Sequence, residues 1–191
     1  MLSSKQQRGD TLIEVILACA IFAMVTVSAF AIMQRASANA YDAMERSQVR
    51  ALLNGQADLL HYLRDAYVQT LTTGGVVTAG QASVWNTIVN TPTYNSTAPN
   101  VNGCLPTTVP NNFFYIARNG TTNYQLKAGP TNIVPASGMP QAGQGMWIQR
   151  VDSPTNSANK KYKDFYIMAC WQSTTNNTQN MSTIVRMYDT N

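Results

Sequence analysis

Residues 8–33 read RGDTLIEVILACAIFAMVTVSAFAIM, and the fold turns on how that stretch is read. From Val15 to Met33 its only polar side chains are Thr26 and Ser28. At roughly 1.5 Å per helical residue the run covers about 28 Å, close to the hydrocarbon thickness of a bilayer, so it can cross a membrane once as a helix. Glu14 sits at the entrance. A carboxylate there costs free energy unless it reaches the headgroups or meets a cation, which makes it a candidate functional group. Thr11-Leu12-Ile13-Glu14 also has the spacing of a capping box, and Asp10 and Glu14 both suit the positive end of a helix dipole. The two readings are compatible.

The helical signal continues beyond the apolar run. Between Thr11 and Thr70 there is no proline and a single glycine, Gly55. Leu52, Leu59, Leu60, Leu63, Tyr67 and Leu71 recur at three- and four-residue steps, with Arg46, Arg50, Asp58, Arg64 and Asp65 on other faces, as in a helix laid on a domain. Thr72-Thr73-Gly74-Gly75 then stops it. Residues 90–112, with four prolines, read as an irregular wrap.

Strand signals follow. In NFFYIARNGTTNYQLK, Asn119-Gly120 suggests a type I′ turn between two β-prone runs. Further runs are Met146 to Val151, Tyr162 to Trp171 and Ser182 to Tyr188, with a polar loop expected over Gln172 to Asn180. In DFYIMACW, alternation assigns Phe165, Ile167, Ala169 and Trp171 to one face and Tyr166, Met168 and Cys170 to the other. The expectation is an α+β fold, a long N-terminal helix packed on an antiparallel meander. Its divisions are a leader over 1–9, a membrane half of the helix over 10–33, an amphipathic half over 34–71 and a head over 72–191.

The chain has 191 residues and a formal charge of +4, and charged residues make up 12% of it, which does not describe a polyanion binder. Lys5 and Arg8 precede the apolar run with no acid before Asp10, so the N-terminus is expected inside and the bulk outside. Of the three cysteines, Cys19 lies in the apolar run, leaving Cys104 and Cys170 as one pair for an oxidising compartment or as two free thiols. Closing so long a loop would remove about 4 kcal/mol of unfolded-state entropy.

A basic leader ending in Gly9, then Asp10-Thr11-Leu12-Ile13-Glu14-Val15, then an unbroken apolar helix resembles the N-terminus of type IV prepilins and of the pseudopilins of type II secretion. The resemblance covers about the first quarter of the chain. It implies cleavage between Gly9 and Asp10, N-methylation of Asp10, and an assembly salt bridge from Glu14 to a neighbour's new N-terminal amine. Such a pair gains roughly 4 kcal/mol at about 4 Å and an effective dielectric near 20, before desolvation. Methylation keeps the amine charged. Ala18, Ala20, Ala23, Ser28, Ala29 and Ala31 would permit close helix packing. The implied partners are a prepilin peptidase that also methylates, an inner-membrane assembly platform and other pilin-like subunits. The precursor would sit in the cytoplasmic membrane with its head outside, and the assembled form in a cell-surface or periplasmic filament. Asp10 stands where the family most often has phenylalanine, and the helix lacks the proline of many major pilins. Both departures point to a minor subunit or pseudopilin.

Other classes of reading compete. Ala29-Phe30-Ala31 after an apolar core has the form of a secretory cleavage site, which would release a soluble exported binding domain. No enzyme is expected: there is one histidine, His61, no metal-spaced Cys/His cluster, no G-x-S-x-G and no phosphate-cradling glycine motif. No cofactor or metal is expected either, since Asp152 and Asp164 lack the spacing of a calcium loop. Lys160, Lys161, Tyr162 and Lys163, with Arg150 nearby, could hold single-stranded nucleic acid, a contact that is possible but not favoured.

Overall fold

The computed structural model describes residues 10–96, 104, 111–121, 123–131, 133, 145–152, 162–173 and 177–188, with side chains from Leu12 onward. The described elements run α1 (Asp10–Thr72), α2 (Gly80–Asn90), β1 (Phe114–Asn119), β2 (Asn123–Ala128), β3 (Gly145–Asp152), β4 (Tyr162–Gln172) and β5 (Thr178–Tyr188), with a 3-10 turn at Pro92–Tyr94. Contacts divide the chain into two units, Met1–Met44 and Glu45–Asn191. The fold is α+β, a long helix and an antiparallel sheet of order β2-β1-β3-β4-β5.

The first unit is helical from Asp10 and apolar on every side. Leu12, Ile16, Phe22, Val27, Phe30 and Met33 are all more than half exposed. The run contains a helix long and apolar enough, by length and composition, to cross a membrane. Its two hydroxyls are spent on the helix itself. Thr26 Oγ1 donates to the carbonyls of Phe22 and Ala23 at 3.0 and 2.9 Å, and Ser28 Oγ to that of Met24 at 2.8 Å. Back-bonding of this kind leaves no unmet donor facing an apolar surround.

In the second unit the helix buries a stripe of Val49, Leu53, Gln56, Leu60 and Leu63, with Tyr67 half-buried at its end. This differs in phase from the expected leucine series. Leu52 and Leu71 are exposed, because a helix of 3.6 residues per turn cannot present both 52 and 53 to one sheet. The helix ends as its sequence suggests. Gly74, at φ +69°, donates to Leu71 O and Gly75 donates to Thr70 O at 2.8 Å, the paired bonds of a Schellman stop.

The hairpin forms, but its turn is not the expected one. Asn119 pairs with Asn123, leaving a three-residue loop that begins at Gly120 with φ +74°. A two-residue turn on Asn119-Gly120 would slide β2 by three positions and flip its faces. The observed register instead sets Leu126 opposite Ile116 and Tyr124 opposite Arg118, so both Tyr124 and Leu126 pack against the helix-side core.

The sheet is not a simple meander. β3 pairs with β1, which places β2 at an edge. The more apolar strand takes the interior position: Phe114 and Ile116 of β1 are buried, whereas Tyr124 and Leu126 of β2 are only half-buried. The side of β3 that faces β1 is met by three separate segments. Thr131 and Met146 exchange backbone bonds at 2.8 and 2.9 Å, Phe114 pairs with Ile148, and Ser96 N–H donates to Arg150 O at 2.7 Å. Gly145 opens this arrangement at φ +133°; a Cβ there would lie 2.7 Å from Thr131 O. β5 begins at Thr178, so part of the expected Gln172–Asn180 loop belongs to the ladder.

Two clusters lie on opposite faces of the sheet. The alternation read in DFYIMACW holds: Phe165, Ile167, Ala169 and Trp171 join the helix-side core, while Met168 and Cys170 join a smaller cluster with Phe113 and Trp147. The helix α2 was not expected at all. It buries Ala82, Trp85 and Ile88, with Trp85 packed on Phe165 at 5.6 Å between ring centroids.

Candidate functional site

Glu14 lies in the first unit, exposed, two residues inside the first described side chain of the apolar helix. Gly9 lies outside the described residues. Asp10 and Thr11 are described only as helical backbone, so the Thr11–Glu14 capping box falls outside the described side chains. What the structure gives is a surface: a helical anion next to Val15, Ile16 and Leu17, each 61% exposed. Burying a continuous apolar helix surface of this kind needs lipid or other helices.

The head carries a second built feature. Cys104 and Cys170 form a disulfide with their Cα atoms 5.3 Å apart, closing 66 residues of sequence. Cys170 is fully buried in β4, and Cys104 packs on the outer-face cluster. Cys19 is an exposed free thiol in the apolar helix.

The basic stretch does not assemble as the sequence suggested. Lys160 and Lys161 lie outside the described residues. Tyr162 and Lys163 are adjacent in β4 and so point to opposite faces of the sheet. Arg150 is only 2% exposed, which removes it from any nucleic-acid surface. Its Nη1 donates to Ile88 O at the end of α2, and its Nε stands 2.9 Å from Asp152 Oδ1. A cation at a helix C-terminus is favourable, and here it ties α2 to β3. Tyr162 is committed as well. Arg186 stacks over its ring at 4.1 Å and makes a bidentate pair with Asp164 at 2.7 and 2.8 Å. Those bonds to Asp164 hold the guanidinium proton more tightly, raising the Arg186 pKa above its already high ordinary value.

Asp152 and Asp164 are thus occupied by arginines, and no group of three or more potential ligands that could hold a metal occurs among the described residues. His61 is exposed on α1. Gln56 is the residue that sequence reasoning missed. Its Nε2 donates to Ile116 O and its Oε1 accepts from Ile116 N–H, both at 3.0 Å. The register between β1 and β3 holds only Phe114 opposite Ile148, so this side chain satisfies the β1 backbone where the strands part. No periodicity announces such a residue, because a glutamine in a leucine stripe reads as a break in it.

Comparison with family models, with curated proteins and with solved structures gives no match.

Proposed function

We propose that the chain is a minor structural subunit of a type IV pilus or related pilin-like filament, cut between Gly9 and Asp10 and assembled through its N-terminal helix. The observation that carries this reading is the exposed apolar helix of the first unit with Glu14 at its start. A soluble head needs no such helix, and a plain anchor needs no acid there. In the proposed assembly the amine freed at Asp10 meets Glu14 of a neighbour, and this pairing sets register while helix packing supplies the association energy. The prepilin peptidase, the assembly platform and fellow subunits are its partners on this reading.

The test is Glu14→Ala in cells that make the filament. The variant should still be cleaved and membrane-bound yet be missing from filaments, whereas a bulky replacement of Gly9 should leave the precursor uncut. Normal incorporation of the glutamate variant would remove the pairing mechanism.

A further inference from the structure

The two faces of the sheet are sealed by different means. On one face, α1 and α2 cover the helix-side core of Leu53, Leu60, Trp85, Phe165, Ile167 and Trp171. On the other, Phe113 stacks on Trp147 at 5.9 Å between centroids, beside Met168 and Cys170. Trp147 is fully buried there. The described members of that cluster come from β3, β4 and the residue before β1, with one exception, Cys104. Cys104 is joined to the cluster covalently.

We infer that the Cys104–Cys170 disulfide is a latch on this outer-face cluster alone: breaking it uncovers Trp147, Phe113 and Met168 while the helix-side core stays folded. A dithiol reductant supplies two electrons and two protons. The S–S bond breaks, Cys104 and Cys170 become thiols, and the reductant closes its own disulfide. The ladder between β3 and β4 and the Gln56 clamp do not involve either sulfur, so they persist. The released cluster is an aromatic patch on a sheet face, a sticky surface that an oxidised head hides. A head that left the cell unoxidised would present it. The latch is a property of the head and does not rest on the filament reading.

The full chain in detergent micelles, with and without dithiothreitol, tests it. Alkylation under native conditions with peptide mapping should label Cys104 and Cys170 together once the bond is reduced, although Cys170 is buried in the folded sheet. Of the three tryptophans, one should become quenchable by acrylamide, and that increment should vanish in Trp147→Phe. Trp85 and Trp171 should stay shielded and the far-UV circular dichroism should not change. Cys104→Ser should show the opened state without reductant. Full reduction with Cys170 and Trp147 still protected would overturn the latch. So would exposure of all three tryptophans with loss of helical signal, which would make the bond a staple of the whole head.

Discussion

At the scale of single residues, three side chains carry more than their type suggests. Gln56 bonds both backbone groups of Ile116 in a buried setting, so Gln56→Ala should leave a donor and an acceptor unmet and cost about 3 kcal/mol in denaturant unfolding of the head. Gln56→Glu should do little better, because a carboxylate oxygen would then face Ile116 O. Equality of either variant with the parent would mean that water can replace the clamp. Gly145 combines a left-handed φ with a neighbouring carbonyl 2.7 Å from where a Cβ would stand. Gly145→Ala should therefore destabilise by at least about 2 kcal/mol, seen as a lowered midpoint. Gly74 is different. It has a positive φ but nothing within 4 Å of an added Cβ, so Gly74→Ala should cost only about 1 kcal/mol, the conformational term by itself. The contrast between the two alanine variants separates backbone conformation from steric contact.

At the scale of elements, much of the architecture was legible in local pattern. The absence of proline between Thr11 and Thr70 told of α1, Gly74-Gly75 told of its end, and the alternation in residues 164–171 told which side of β4 faces the helix. What was not legible depended on distant partners. The hairpin turn followed its strands: the register that buries Tyr124 and Leu126 overruled the local preference of Asn119-Gly120. The helix α2 escaped notice because its apolar positions, Ala82, Trp85 and Ile88, stand among Gly, Ser, Thr and Asn, and its N-cap Ala79 makes no side-chain bond. Part of what holds it lies 62 residues away, in the Arg150 bond to Ile88 O. Arg150→Met should thus loosen α2 before anything else, raising hydrogen exchange at residues 85–90 while β4 and β5 keep their protection. Uniform loss of protection across the head would deny Arg150 that local role. The same burial explains why a basic surface could not be read from Arg150 and Tyr162. Charge in a sequence does not say whether a guanidinium faces water or a helix end.

At the scale of the whole molecule, the chain joins a helix with nothing to bury itself against and a head with two sealed faces. The head's faces account for their own apolar residues, one under helices and one under a disulfide. The apolar surface left over belongs to residues 12–33, and with Glu14 at its edge it is the feature the filament reading explains. That reading stands on how the mature chain begins. The most direct measurement is the mass of the N-terminal peptide of the protein purified from membranes or filaments. The account predicts a chain starting at Asp10, with its amine methylated. A chain starting at Ile32, the product of a secretory cut, or one retaining Met1 would contradict it.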